Sequence, residues 1–253
     1  MLLALVPALE GVAATVALAV AAVVTKSLTP SAGVVAALFG SVIVIVGGFA
    51  FLALLVLFVV ASVLATRYGF EEKKRKNVHE GTEGERGVSN VVAHILLPTA
   101  LVLLAGLDPA ALGRFPEIVL YTAALAFGAA DTFASEFGVL AGNAVSILSG
   151  RPVAAGTNGG VSAVGEAWAL VGALTTGVVA AALFSFTEVG LPRPGLLIVA
   201  AAAAGFLGCQ VDSLLGETLE NRGYLTKGST NFFGMLSSIL VATLVVASVG
   251  GGL

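Results

Sequence analysis

The sequence predicts an all-α fold, a polytopic membrane helix bundle with about eight transmembrane helices, and its composition and length support that prediction. Apolar residues make up 58% of the 253-residue chain and charged residues only 11%. The mean hydropathy of +1.04 belongs with membrane proteins rather than with soluble globules. One crossing needs about 20 apolar residues, so the length allows about seven or eight crossings. We therefore expect one integral membrane domain over residues 1–253.

The first part of the chain is predicted to contain three spans before a polar loop. The first covers about residues 2–24, and we interpret it as a span rather than a signal peptide because no basic segment precedes it. Residues 32–66 are almost uniformly apolar and, as one helix, would extend roughly 50 Å, too long for a single crossing. Gly47 and Gly48 lie near the middle of this run. We therefore expect two short helices joined by a tight turn, followed by a polar cytoplasmic loop at about 67–87.

Five further spans are predicted in the rest of the chain. They lie at about residues 88–106, 117–133, 161–186, 195–211 and 231–249. Residues 137–149 are moderately apolar and contain Gly138 and Gly142, so we expect an interfacial or re-entrant helix there. The run Glu71–Lys76 within the polar loop is interpreted as solvated.

The basic residues predict which ends of the spans face the cytoplasm. If the 67–87 loop is cytoplasmic and eight spans alternate, only Arg114 and Arg193 lie on the other side, out of 12 lysines and arginines. This bias predicts that both termini are external and that the polar motifs described next are cytoplasmic. The net charge of −3 is too small to indicate a partner, and we expect no nucleic acid.

Two spans that run inwards end in matching acidic motifs, Asp131-Thr-Phe-Ala-Ser-Glu136 and Asp212-Ser-Leu-Leu-Gly-Glu217. A carboxylate near a helix C-terminus or at membrane depth costs free energy unless a cation compensates it. Oxygen ligands favour Mg²⁺, so we expect these four acids to bind this metal, with a proton or a Lys/Arg partner as the alternative. Both acids of one motif can reach the same ion only if the helix ends or unwinds between them. A position in solvent beyond the helix is an equal alternative for Glu217.

Three spans that run outwards begin with polar, glycine-rich segments. These are Arg86-Gly-Val-Ser-Asn90, Gly156-Thr-Asn-Gly-Gly160 and Lys227-Gly-Ser-Thr-Asn231. The free backbone amides and positive dipole of a helix N-terminus favour phosphate. Asn90 and Asn231 are expected to be N-caps or direct ligands, while Arg86 and Lys227 add charge.

Similarities among the motifs, and two isolated polar residues, permit more than one interpretation. The two acidic motifs match each other, and so do the Arg86 and Lys227 segments. These matches predict a parallel internal repeat, and the alternative is that such short matches arose by chance. His94 is expected to be a structural hydrogen-bond donor. Glu166 has no obvious partner in its span, which favours a functional role over structural pairing.

The order of the motifs resembles one integral-membrane family over nearly the whole chain. The motifs are Arg-Gly-x-x-Asn, Asp-Thr-x-Ala-Ser-Glu, Gly-Thr-Asn-Gly-Gly-Val-Ser and Asp-Ser-x-x-Gly. The family includes the phytyl-phosphate kinase of plant tocopherol synthesis and uncharacterised bacterial, archaeal and animal relatives. The resemblance implies phosphorylation of an isoprenoid monophosphate, such as phytyl or geranylgeranyl phosphate, to the diphosphate. The expected phosphoryl donor is a nucleoside triphosphate, with CTP favoured.

Phosphoryl transfer, together with the motifs, predicts roles for individual residues. The expected catalytic residues are Asp131, Glu136 and Asp212, and the expected Mg²⁺ ligands are Asp131, Glu136, Asp212 and Glu217. The expected nucleotide- and phosphate-binding residues are Arg86, Asn90, Arg151, Gly156, Thr157, Asn158, Gly159, Gly160, Ser162, Ser213, Lys227 and Asn231. An acceptor that is already a phosphate needs no dedicated base, and its prenyl tail is expected in a groove between helices.

Other functions and properties are left open at this point. The main alternative is a transporter of a phosphorylated or anionic solute, in which the acidic motifs bind a coupling ion, since broken helices and repeats are common in transporters. The acceptor chain, the nucleotide preference and a homo-oligomeric state are also left open, as is whether this branch of the family shares the kinase activity.

Overall fold

The structure is a computed structural model that describes residues 2–110, 112–187 and 191–249. Its helices are α1 (Leu2–Val24), α2 (Pro30–Val46), α3 (Phe49–Arg67), α4 (Phe70–Arg75), α5 (Val88–Leu107), α6 (Arg114–Ala141), α7 (Ala163–Ser185), α8 (Pro194–Leu215) and α9 (Lys227–Ser248). Within these ranges, seven helices are long and apolar enough to cross a membrane, and α2 is a shorter apolar helix. The prediction of an all-α polytopic bundle with about eight spans is confirmed.

The long helices alternate in direction between two ends of the bundle. One end, which we term the motif end, contains the starts of α5, α7 and α9, the ends of α6 and α8 and the 67–87 loop. At the opposite end, Arg114 donates a hydrogen bond to the Gly47 carbonyl (3.1 Å) and Arg193 donates one to the Val249 carbonyl (3.3 Å). The five polar motifs therefore lie at the end opposite Arg114 and Arg193, as the alternation of spans predicts.

The predicted turn between the second and third spans is confirmed. Helix α2 ends at Val46 and α3 begins at Phe49. Gly48 has a φ of +97°, a conformation that glycine adopts without the steric cost of a Cβ. Thr29 caps the start of α2 by accepting a hydrogen bond from the Ala32 amide at 3.3 Å.

Helix α6 forms the centre of the bundle and packs against α3, α5, α7, α8 and α9. Every residue from 116 to 130 is buried. Glycines on the neighbouring helices permit the close approach: a Cβ on Gly172 would lie 2.7 Å from the Ala129 carbonyl oxygen, and one on Gly205 would lie 2.8 Å from the Ala126 carbonyl carbon. Small residues are typical of helix contacts in lipid. Helix α1, in contrast, lies at the periphery against α2.

The end of the fifth span and the segment after it differ from prediction. Helix α6 continues without a break to Ala141, so the expected interfacial or re-entrant helix at 137–149 is wrong. Gly138 does not end the helix because it serves in packing: a Cβ there would lie 3.3 Å from the Gly165 Cα of α7. The described chain then forms a small antiparallel sheet, in which β1 (Ala144–Ser146) pairs with β2 (Pro152–Val153) and β3 (Gly160–Val161).

Two helix starts also differ from prediction. Helix α9 begins at Lys227 because Thr226 and Ser229 form a capping box, and the residue that precedes α5 is Gly87. Asn90 and Asn231 therefore lie inside their helices, and their predicted role as N-caps is wrong. Both side chains face the cavity described next.

Candidate functional site

A cavity of about 350 Å³, which we term the polar cavity, lies at the motif end among α5, α6, α7, α8 and α9. The predicted site residues in its wall are Arg86, Asn90, Asp131, Glu136, Gly156, Thr157, Asn158, Gly159, Gly160, Ser162, Asp212, Ser213, Lys227 and Asn231. Segments more than a hundred residues apart in the sequence thus contribute to one wall. The structure brings together most of the polar positions that the sequence singled out.

Two carboxylates in the polar cavity are candidates to bind a cation. Asp131 of α6 and Asp212 of α8 both line the cavity. Asn231 Nδ2 lies 3.4 Å from Asp131 Oδ2. Oδ1 of Asp212 is buried and has no hydrogen-bond partner among the described residues. Leaving a buried acceptor unsatisfied costs about 1–3 kcal/mol, so this oxygen is available to an incoming cation.

These two carboxylates fit Mg²⁺ in one particular binding mode. In the described ranges, no group of three or more His, Cys, Asp or Glu side chains is arranged to hold a metal. Mg²⁺ usually binds through one or two protein carboxylates and takes its other ligands from substrate phosphates and water. Asp131 and Asp212 would supply the carboxylates in that mode.

Glu136 has a different partner from Asp131. Because α6 is continuous, Glu136 is rotated by about 140° from Asp131, and the unwinding that a shared ion would require does not occur. Glu136 Oε2 accepts a hydrogen bond from Lys73 Nζ at 2.7 Å, and its Oε1 accepts one from Thr66 Oγ1 at 2.7 Å. The geometry therefore favours the alternative of a lysine partner for this acid.

Lys73 shows that the charged run of the 67–87 loop is not wholly solvated. This run forms α4, and the Lys73 side chain is 0% exposed. Its ammonium group also donates to the carbonyls of Ala65 (2.9 Å) and Thr66 (3.1 Å). This buried ion pair could not be predicted, because Lys73 is one of several basic residues in an otherwise exposed run.

Glu217 and Arg151 are not part of the wall of the polar cavity. After Leu215, α8 widens into a π-helical turn over Gly216–Glu220. The Glu217 carboxylate accepts hydrogen bonds from Ser146 Oγ at 2.5 Å and from the Leu148 amide at 3.2 Å. Arg151 is exposed between β1 and β2. The geometry thus gives no support to a metal role for Glu217 or a phosphate role for Arg151.

The 156–160 loop is held closely against the end of α8. Gly159 has a φ of +76°, and a Cβ there would lie only 2.3 Å from the Glu217 Cβ. Asn221 Nδ2 donates to the Asn158 carbonyl at 3.4 Å. Ser162 follows the loop and caps α7 by accepting a hydrogen bond from the Gly165 amide at 3.0 Å. The loop therefore leads into the start of α7, where helix amides favour an anion.

Two cations at the polar cavity differ in their pairing. Lys227 Nζ lies 3.0 Å from Glu80 Oε2, so the 67–87 loop reaches the start of α9. Arg86 donates longer hydrogen bonds to Asn90 Oδ1 (3.4 Å) and Thr66 Oγ1 (3.3 Å). Burial lowers the pKa of the Arg86 guanidinium, which nevertheless stays charged because its ordinary pKa exceeds about 12.

His94 and Glu166 also line the polar cavity. His94 Nδ1 lies 2.9 Å from the Asn90 carbonyl oxygen and its Nε2 lies 3.8 Å from Asp131 Oδ2. Glu166 accepts a hydrogen bond from Gln210 Nε2 at 2.7 Å. Glu166 has no obvious partner in the sequence of its own span because Gln210 lies on a different span.

Comparison with known proteins places the chain among integral membrane proteins. The sequence profile of the family described as integral membrane protein DUF92 matches residues 13–232. The uncharacterized membrane protein MJ0933 of Methanocaldococcus jannaschii is 29% identical over 216 residues, which cover 84% of this chain and 80% of that protein. Protein PGR of Arabidopsis thaliana is 31% identical over 215 residues, 79% of this chain and 74% of that protein. No solved structure matches. The resemblance to an integral membrane family with plant and prokaryotic members is confirmed.

Proposed function

The chain belongs to the integral membrane protein family DUF92, and we propose that it phosphorylates an isoprenoid monophosphate to the diphosphate. The proposed donor is a nucleoside triphosphate, with CTP favoured. The proposed acceptor is a lipid such as phytyl or geranylgeranyl phosphate. We further propose that the motif end faces the cytoplasm, where the nucleotide is available.

The observation that carries the proposal is the composition of the polar cavity. It combines two carboxylates, Asp131 and Asp212, with the glycine-rich 156–160 loop and the cations Arg86 and Lys227. Carboxylates bind cations, while backbone amides, arginine and lysine bind phosphate oxygens. A site that contains both sets is suited to a metal–nucleotide complex together with a second phosphate.

Phosphoryl transfer requires alignment and charge neutralisation more than covalent participation by the protein. In the proposed reaction, an oxygen of the acceptor phosphate forms a bond to the γ-phosphorus of CTP. The bond from that phosphorus to the β–γ bridging oxygen breaks, and its electron pair leaves with CDP. The acceptor oxygen is already anionic at neutral pH, so neither His94 nor another residue has to remove a proton.

The proposed roles of the residues follow from this step. Asp131 and Asp212 would hold Mg²⁺, which when bound supplies neutralisation of the charge on the triphosphate. Asn231 would keep the Asp131 carboxylate in place through the contact to Oδ2. The 156–160 loop and Lys227 would bind the nucleotide phosphates.

A transporter of an anionic solute is the competing proposal. Its binding site would be expected near the middle of the membrane, between repeats that rock against each other. The polar cavity instead lies at helix ends, beside the 67–87 loop, at one end of the bundle. This position favours an enzyme that receives its nucleotide from one side.

An activity assay distinguishes the two proposals. Purified protein, Mg²⁺ and CTP or ATP labelled in the γ-phosphate are mixed with phytyl or geranylgeranyl phosphate. We expect labelled diphosphate lipid, and none when the acceptor is replaced by the corresponding alcohol. If no nucleotide and acceptor pair gives product, while sealed vesicles containing the protein accumulate a phosphorylated solute, the kinase proposal is wrong and the transporter replaces it.

A further inference from the structure

A second, largely apolar groove lies beside the polar cavity, among α1, α2, α3 and α5. Its volume is about 340 Å³. Characteristic residues of its wall are Ala19, Ala22, Leu55, Val59, Val91 and Ile95. We term it the apolar groove, and its size is at the lower end of the range for small-molecule sites.

The apolar groove opens towards the lipid. Leu18 of α1 and Leu64 of α3 line it and are 45% and 64% exposed. Helix α1, which forms one wall, contributes little to the buried core. A long hydrocarbon chain in the membrane therefore has lateral access to the groove without passing through water.

The apolar groove and the polar cavity meet at the start of α5. Arg86, Asn90 and His94 line both. A molecule that occupied both spaces would need a polar end in the polar cavity and an apolar chain in the apolar groove. Its polar end would join its apolar chain next to these three residues.

Arg86 at this junction has unused hydrogen-bonding capacity. Its side chain is buried, and Nε has no hydrogen-bond partner in the described part of the chain. Its other contacts are hydroxyl and amide oxygens at 3.3 to 3.5 Å rather than a carboxylate. A buried guanidinium without an ion pair is costly, and it is well suited to bind a phosphate. Ser62 Oγ, also in the groove wall, is another buried polar atom without a partner among those described.

We infer that the apolar groove binds the single isoprenoid tail of the acceptor, and that Arg86 binds the acceptor's phosphate at the junction. This inference rests on the proposed kinase function and deepens it. The two substrates are then divided between the two spaces: the nucleotide lies beside the 156–160 loop and Lys227, and the lipid enters along α1 and α3. The transferred phosphoryl group passes between them near Asp131.

A pair of variants on α3 tests the assignment of the groove through chain-length preference. Val59→Trp places bulk in the apolar groove, whereas the control Leu57→Trp adds the same side chain on an exposed face that does not line it. We expect Val59→Trp to lower kcat/KM for geranylgeranyl phosphate at least about tenfold more than for the shorter geranyl phosphate. The control should leave the ratio of the two unchanged. An equal loss for both lipids, or no loss in a variant that is folded by thermal unfolding, would overturn the inference.

Photo-crosslinking tests the same inference in the wild-type protein without turnover. The probe is geranylgeranyl phosphate with a diazirine at the tail end, and the matched control is the corresponding alcohol. We expect phosphate-dependent labelling of α1 and α3, reduced to the level of the alcohol in Arg86→Gln and largely kept in Arg86→Lys. Equal labelling by both probes would mean that the groove is a crevice for bulk lipid, and the inference would be wrong.

The two experiments separate this inference from the proposed function. If phosphate-dependent labelling of the groove occurs but no nucleotide supports transfer, the kinase fails and the lipid-phosphate site stands. If transfer occurs but the labels map away from α1 and α3, the kinase stands and the groove assignment fails.

Discussion

Three acids of the polar cavity differ in how their carboxylate oxygens are occupied. Both oxygens of Glu136 accept hydrogen bonds, from Lys73 and Thr66. Oδ1 of Asp212 has no partner among the described residues, and Asp131 makes only long contacts to Asn231 and His94. Acids in similar motifs therefore have different roles. Glu136 stabilises the fold, and the two aspartates are free for a cation.

The first prediction concerns the two aspartates. Asp131→Asn and Asp212→Asn should each lower phosphoryl transfer by at least about a hundredfold, because removing a group that stabilises transition-state charge typically costs that much. Folded yield should be unchanged, and Glu71→Gln, an exposed acid of the same end, should keep normal rates. Rates close to wild type in either aspartate variant would remove the metal assignment.

The second prediction concerns the buried ion pair. Lys73→Met should lower the free energy of unfolding by about 3–5 kcal/mol, because it leaves the Glu136 carboxylate buried without its cation. The double variant Lys73→Met/Glu136→Gln should recover part of that loss. Lys74→Met changes a neighbouring exposed lysine and is the control in thermal unfolding. A single variant at Lys73 no less stable than this control would contradict the account.

At the scale of elements, hydropathy predicted the existence and order of the spans because lipid-facing helices are apolar on nearly every face. The end of α6 could not be predicted in the same way. Its last turns carry Glu136, which is compensated by Lys73 at a separation of 63 residues, and such a pairing leaves no periodic pattern. Gly138 likewise resembles a helix breaker until the contact with α7 is known. The small sheet after α6 was missed because its strands are only two or three residues long.

The convergence of the motifs was predictable because, when spans alternate in direction, the ends of inward spans and the starts of outward spans lie on the same side. The side-chain partners of individual residues could not be predicted. Glu217 lies within the π-helical turn and accepts a hydrogen bond from Ser146, and a π-helical turn has no reliable sequence signature. The suggested parallel internal repeat stays a prediction.

The third prediction concerns the 156–160 loop. Gly159→Ala should destabilise the protein more than Gly150→Ala. Both positions have positive φ values, and each alanine should cost about 1–2 kcal/mol for that reason. Of the two positions, only Gly159 would place a Cβ in a clash with Glu217, and this clash would displace the loop. Thermal unfolding and nucleotide binding measure the difference, with weaker binding expected only for Gly159→Ala. Equal losses of stability and of nucleotide binding in the two variants would show that the close contact between Gly159 and Glu217 has no effect.

The proposed kinase activity requires that the motif end of the bundle faces the cytoplasm. The distribution of lysine and arginine supports this orientation, since Arg114 and Arg193 are set apart at the opposite end of the structure. A kinase that uses a cytoplasmic nucleotide needs this arrangement, and both termini would then be external.

The fourth prediction tests that orientation by cysteine labelling. The single native cysteine, Cys209, is buried and is first replaced by alanine. Asn158→Cys and Arg222→Cys report on the motif end, and Arg193→Cys reports on the other. A membrane-impermeant maleimide should label only Arg193→Cys in intact cells, and the other two only after permeabilisation. Labelling of Asn158→Cys in intact cells would reverse the orientation.

An experimental structure with Mg²⁺ and a non-hydrolysable CTP analogue would test whether the carboxylates and the phosphate-binding segments form one nucleotide site. We expect a cation between the carboxylates of Asp131 and Asp212, and phosphates within hydrogen-bonding distance of the 156–160 loop. A nucleotide bound at the opposite end of the bundle, or one whose phosphates contact neither aspartate nor this loop, would contradict the account.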